Sequence, residues 1–216
     1  MTMYNRKIRQ EIIATARQFG GKQLSYGCSG NVSARITNGF LITPSGVDYD
    51  DLDPVDINEI NWQGDIISGR FQPSSEWQLH LALYHRRSDI NAVVHVHSIY
   101  ATAVSCTRKA IPAFHYMVTR LGGSSIPCAQ YATFGSSTLA ENVASAIGDH
   151  MACLLANHGQ VSVGPDLATA LYYAGEVENL ARQYCISKAA GDVVLLDDEE
   201  MQRNLEKFKT YGKPHH

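Results

Sequence analysis

The segment Ala92-Val93-Val94-His95-Val96-His97 limits the fold more than any other stretch of this chain. It is short, apolar and rich in β-branched residues, which is the composition of a strand. Side chains two apart on a strand share a face, so Val93, His95 and His97 point one way and Val94, Val96 and Ser98 the other. A sheet built on this strand carries two imidazoles side by side, and both can converge on one ion. An ordinary strand with two hydrogen-bonded polar residues has the same spacing, so the pair needs a third partner.

His158 supplies it. It lies in a tight Asn157-His158-Gly159 turn between two apolar runs, Ala152–Asn157 and Val161–Val163, that read as strands. Three imidazoles with an open position describe a catalytic zinc site, one Zn²⁺ per subunit, whereas a structural site is closed by four ligands that usually include cysteine. Glu76 is the candidate for a movable fourth group. The five cysteines are odd in number, widely spaced and contain no Cys-x-x-Cys pair, which excludes a disulfide framework and a thiolate zinc site. Most are expected to be buried, reduced small hydrophobes.

The rest of the chain alternates helical and extended patterns. Residues 3–19 space Ile8, Ile12, Ile13, Ala16 and Phe19 as an amphipathic helix that stops at Gly20-Gly21, the expected left-handed cap. Val32–Ile36 and Phe40–Thr43 read as strands. Ser74 and Ser75 read as N-caps of a helix through Tyr84. Further helices are expected over 98–107, 136–148, 165–190 and 197–208, with Pro165 in a first turn. With 216 residues and 44% hydrophobic content, the chain can bury a full core as one domain spanning 1–216.

Three segments are built from Gly, Ser, Thr and Asn: Ser29-Gly30-Asn31, Thr43-Pro44-Ser45-Gly46 and Pro73-Ser74-Ser75. Glycines let backbone N–H groups approach phosphate oxygens, hydroxyls donate further bonds, and a helix start adds unpaired amides. Each segment taken singly is also an ordinary turn. No Walker motif and no G-x-G-x-x-G after a strand is present, so nucleotide cofactors of those types are not expected. Eighteen basic against 21 acidic residues, with no basic stripe, exclude nucleic acid as a partner. No apolar run approaches the roughly 20 residues of a bilayer span, and the first residues lack an apolar h-region. The expected location is cytoplasmic.

Taken together, Ser29-Gly30-Asn31-Val32-Ser33, Thr43-Pro44-Ser45-Gly46, Ser74-Ser75-Glu76, His95-Val96-His97-Ser98 and Asn157-His158-Gly159 resemble the class II aldolase/adducin family. Order and spacing match across most of the chain. The stretches Ile111–Met117, Tyr131–Gly135 and Lys207–Gly212 are similar to its L-fuculose-1-phosphate aldolase branch.

The resemblance implies an α/β fold in three layers, with a central, mainly antiparallel sheet flanked by helices. It implies a fourfold homotetramer with active sites at subunit contacts and a mobile tail from about residue 207. Zinc would be held by His95, His97 and His158, with Glu76 as a ligand that leaves to act as acid and base. Ser29, Gly30, Asn31, Ser45, Gly46, Ser74 and Ser75 would hold a phosphate. Tyr116 would act from a neighbouring subunit, Phe134 would line the aldehyde side, and Tyr211 would reach in from the tail.

The implied reaction is reversible cleavage of a ketose 1-phosphate into dihydroxyacetone phosphate and an aldehyde. L-fuculose 1-phosphate, 5-deoxyribulose 1-phosphate and 5-methylthioribulose 1-phosphate are the candidate substrates. Val96 stands where the fuculose enzymes commonly have Asn, Ser45 where they have Thr, and Thr119 and Arg120 where they have small apolar residues. These departures touch the identity of the sugar, not the reaction type. Rival readings are a sugar-phosphate 4-epimerase, which places Asp at the position of Glu76, a methylthioribulose-1-phosphate dehydratase, and an adducin-like interaction module without metal.

Overall fold

The computed structural model describes residues 3–211, with the backbone alone for Met3 and Tyr4; Gly212, His215 and His216 lie outside the described residues. Among the described residues eight strands form one sheet: β1 (Asn31–Ile36), β2 (Gly39–Ile42), β3 (Asn58–Asn61), β4 (Ile66–Ser68), β5 (Ala92–Val96), β6 (Cys128–Ala129), β7 (Ala152–Leu155) and β8 (Gly159–Gly164). Their order is β4-β3-β2-β1-β5-β8-β7-β6. All neighbours are antiparallel except β6 and β7.

Helices cover both faces, because the central strands bury residues of both parities. On one side Val32, Ala34, Val94 and Val96 pack with α1 (Met3–Ala16) and α6 (Leu167–Ala190). On the other, Phe40, Ile42, Val93, Val161 and Val163 pack with α3 (Trp77–Arg86) and α5 (Ser137–Ile147). A third cluster joins Ala152 and Leu154 of β7 to α4 (Ile99–Ser105), to a 3-10 segment over Tyr116–Leu121, to α6 and to α7 (Asp198–Thr210). The architecture is the three-layer α/β arrangement expected, and no helix among the described residues is long and apolar enough to cross a membrane.

Several local expectations are corrected. The first helix breaks at Arg17 and resumes as α2 (Gln18–Gly21). The left-handed residue after it is Gln23 (φ 57), not Gly20 or Gly21. The N–H of Leu24 bonds Phe19 O (2.9 Å) and that of Gln23 bonds Gly20 O (3.0 Å), a Schellman closure set by the need to bury Leu24 in the cluster that holds Phe19. Pro165 precedes α6 and does not sit in its first turn; Asp166 caps it, accepting from Thr169 N at 2.7 Å. Ser74 and Ser75 form a turn before α3, whose cap position is Glu76. Of the cysteines only Cys153 is buried, whereas Cys28 and Cys106 are exposed because each lies in a loop flanking a regular element.

Candidate metal centre and its cleft

The antiparallel register builds the centre. His95 opposes Val161 and Val96 opposes Gln160, so the next step along β5 brings His97 beside Gly159, with His158 adjacent. A Cβ at Gly159 would meet Val96 O at 2.7 Å and the His97 ring at 2.8 Å, so only glycine lets the two segments close this far. Similarly, a Cβ at Gly30 would meet His95 O at 2.8 Å, so glycine lets the first loop run against β5.

The three rings form a triangle with centroids 4.8 to 4.9 Å apart. His95 Nδ1 donates to Gln160 O at 2.8 Å, which leaves Nε2 as the free lone pair of the neutral ring. That Nε2 lies 3.0 Å from His97 Nε2 and 3.0 Å from Glu76 Oε2. Glu76 Oε1 lies 3.2 Å from His158 Nε2, yet it is buried and makes no hydrogen bond. One ligand atom from each of Glu76, His95, His97 and His158 falls within 4.8 Å of the others.

Charge balance suits a cation here. Burial and then the neighbouring His95 lower the His97 pKa to about 3 and that of His158 to about 4, so both rings are neutral at physiological pH, the form that can ligate a metal. Burial works against charge on Glu76, but His95, then His158 and Asn31, outweigh it and hold the carboxyl well below its ordinary range. Burial likewise opposes charge on His95, while contact with Glu76 raises its pKa. A buried anion with an unpartnered oxygen, facing imidazole lone pairs, is a donor set that fits a divalent ion of zinc type.

The centre opens into a cleft of about 420 Å³. Ser29, Gly30, Asn31, Ser45, Gly46, Ser74 and Ser75 line it, together with Glu76, His97, His158 and Phe134. Backbone pairing gathers these segments: Ser74 N donates to Thr43 O (3.1 Å), Ser45 N donates to Gln72 O (3.0 Å), and Pro44 pairs with Pro73. The turn that delays α3 is thus an extra link tying the second Gly/Ser segment to the third. Among the described residues no Lys or Arg lines the cleft.

Two expected site residues lie elsewhere in the chain. Tyr116 is 45% exposed and stacks on Phe208 with ring centroids 6.1 Å apart, and Tyr211 packs edge-on to that Phe208. Arg120 is held over the rings of Tyr172 and Phe208, and buried Thr119 donates to Tyr116 O. Val96 is buried on the sheet face away from His95. Sequence reasoning missed Cys28, Tyr131 and Asn157 in the cleft. It also missed His80, which is buried behind Glu76 at the i+4 spacing that could have flagged it.

Residues 10–185 match the family of the class II aldolase and adducin N-terminal domain. The chain belongs to this family. It is an enzyme of the class II aldolase type. It is 46% identical over 211 residues to the L-fuculose phosphate aldolase of Escherichia coli (strain K12), covering 97% of this chain and 98% of the relative. It is also 44% identical over 209 residues to the 5-methylthioribulose-1-phosphate/5-deoxyribulose-1-phosphate aldolase of Escherichia coli O45:K1 (strain S88 / ExPEC), covering 95% and 97% respectively. A solved structure of L-fuculose 1-phosphate aldolase superposes with a TM-score of 0.91 at 39% identity, covering 94% of this chain and 96% of that one.

The closeness of Gly159 to His97 makes a first prediction. In Gly159→Ala the clash with Val96 O falls on paired sheet backbone, so the His97 ring must move. Such overpacking costs about 1–3 kcal/mol, and metal affinity in chelator competition should fall by about tenfold or more. Unchanged affinity would mean that His97 is not a ligand.

Proposed function

We propose that this enzyme is a zinc-dependent aldolase that reversibly splits a ketose 1-phosphate into dihydroxyacetone phosphate and an aldehyde. The observation that carries the reading is the unpartnered, buried Glu76 Oε1 among three imidazoles, opening into a cleft walled by Gly, Ser and Asn. Relatives of similar identity are named for L-fuculose phosphate and for 5-methylthioribulose and 5-deoxyribulose 1-phosphates, and these three sugars are the candidate substrates.

Bound by His95, His97 and His158, zinc would supply Lewis-acid stabilisation of the charge that develops on the ketose oxygens as the C3–C4 bond breaks, worth several kcal/mol. The other parts fall to the chain. Ser29, Gly30, Asn31, Ser45, Gly46, Ser74 and Ser75 hold the phosphate, and that remote binding places C3 and C4 against the reactive groups. Glu76 swings away from the imidazoles and carries the proton at C3. Tyr116 takes the C4 hydroxyl proton during cleavage and returns it during synthesis. Phe134 and Tyr211 bound the aldehyde half. The exposure of Tyr116 outside its own chain's cleft supports a homotetramer in which it serves a neighbouring site.

A coupled assay for dihydroxyacetone phosphate with each of the three ketose phosphates tests the reading. Activity should vanish with a chelator and return with Zn²⁺. Full turnover in metal-stripped protein, or release of a diketone phosphate in place of the triose phosphate, would refute it. The shared site has its own test. Assemblies mixed from two inactive variants, Glu76→Gln and Tyr116→Phe, should recover roughly a quarter of wild-type sites, because each site draws on two chains. No recovery would place Tyr116 within its own subunit's site or outside the chemistry.

A further inference from the structure

Behind Glu76 runs a line of buried polar groups, of which the proposed chemistry uses only Asn31. Helix α3 faces strand β1 with Glu76, His80 and Tyr84 at intervals of four, and the strand presents Asn31 and Ser33 at an interval of two. Four helical residues rise about 6 Å and two strand residues about 6.6 Å, so the two stripes mesh like a zipper. The Tyr84 hydroxyl lies 2.8 Å from Ser33 Oγ, and Ser33 Oγ lies 2.6 Å from His80 Nδ1. His80 Nε2 lies 2.6 Å from Asn31 Oδ1, and Asn31 Nδ2 lies 3.1 Å from Glu76 Oε2. Ser33 and His80 are wholly buried, and Asn31, Tyr84 and Glu76 nearly so.

The hydrogens can be assigned by elimination from the carboxylate end. An ionised Glu76 only accepts, so Asn31 must offer it the NH₂ and turn its carbonyl to His80. His80 Nε2 must then carry the proton. A neutral imidazole with a protonated Nε2 has an accepting Nδ1, so Ser33 donates to it and accepts in turn from Tyr84. Every bond runs in one sense, toward Glu76. Burial lowers the His80 pKa to about 3, in keeping with the neutral ring.

We propose that His80 is a positioning residue that fixes which way the Asn31 amide faces, and through it holds the Glu76 carboxylate beside the three imidazoles. Asn31 also lines the cleft. The locked amide therefore offers the same donor group to an anion there, whereas a flipped amide would set a carbonyl against both a carboxylate and a phosphate. Only the activity readout of this inference rests on the aldolase reading.

Two measurements on the full-length protein test it. Imidazole ¹⁵N NMR of the metal-free and the zinc-loaded enzyme should show His80 with Nε2 protonated and Nδ1 bare; the opposite tautomer overturns the proposal. His80→Gln keeps a donor where Nε2 stands, and His80→Leu removes it. The glutamine variant should hold zinc affinity and kcat within about threefold of wild type. The leucine variant should lose about tenfold or more in each, and its KM should rise, because the freed Asn31 amide no longer holds its donor toward the phosphate. Equal losses in the two variants would make His80 a space-filling residue and overturn the proposal. If His80→Leu fails to fold, Ser33→Ala takes its place: Glu76 and Asn31 still fix the tautomer, so His80 should keep Nε2 protonated, and a shift of the proton to Nδ1 counts against the relay. Absence of aldolase activity in the wild type would sink the functional reading, while the tautomer and the zinc affinities would still judge the relay.

Discussion

Glu76→Gln is expected to lower kcat by about a thousandfold while the protein still binds a divalent ion. Among the described residues the Glu76 carboxylate meets the imidazole triangle, at 3.0 Å from His95 and 3.2 Å from His158. Proton transfer by a positioned carboxylate contributes typically about 10² to 10⁴ in rate, and an amide can neither accept nor return the proton. The three histidines remain, so metal content should stay near one ion per chain. KM should change little, because the Gly/Ser segments that face the phosphate are untouched. Glu76→Asp is the informative companion. It keeps the acid but draws it back by one methylene, and a misplacement of about 1 Å can cost roughly 10². Metal analysis with kcat and KM for the triose-phosphate assay decides the matter. A glutamine variant within tenfold of wild type would remove Glu76 from proton transfer.

What was legible in the sequence depended on whether an interaction is periodic, local or neither. His95 and His97 could be paired from two-residue alternation alone, and the apolar runs on either side of His158 marked it as a turn residue. The register that brings His158 against His97 is a long-range property, and only the β5–β8 pairing supplies it. Short edge strands escaped for a different reason. β4 has three exposed residues and β6 has two in all, too few for any alternation to show. Helix ends were misread where backbone bonding overrode residue preference. Ser74 and Ser75 are capping types, yet the Ser74 N–H is engaged by Thr43 O, so the helix begins later, at Trp77. The relay through His80 was invisible because it needs one helix and one strand, 49 residues apart at the His80–Asn31 contact, to lie in phase.

Zinc should raise the melting temperature by roughly 8–16 °C when present at about a thousandfold excess over its Kd, and His95→Ala should abolish most of that rise. A ligand that binds only the folded state at such an excess contributes about 4 kcal/mol, and a chain of this size gains about 2–4 °C per kcal/mol. The metal-free site already gathers the donors. His95 and His97 bring ring nitrogens to 3.0 Å of each other, and Glu76 Oε1 is buried with no hydrogen bond. A cation held by all four groups would give that carboxylate oxygen the partner it lacks. Of the four candidate ligands His95 is the one whose loss should matter most, since it is fully buried, lies between Glu76 and His97, and is oriented by Gln160 O. Its removal leaves that carbonyl without a side-chain donor, so the metal-free variant should itself melt slightly lower, by the equivalent of about 1 kcal/mol. Calorimetry of both proteins with and without zinc separates these effects. A zinc-induced rise that survives intact in His95→Ala would mean that the stabilising ion sits elsewhere, and the triangle of imidazoles would then be a hydrogen-bonded cluster and not a metal centre.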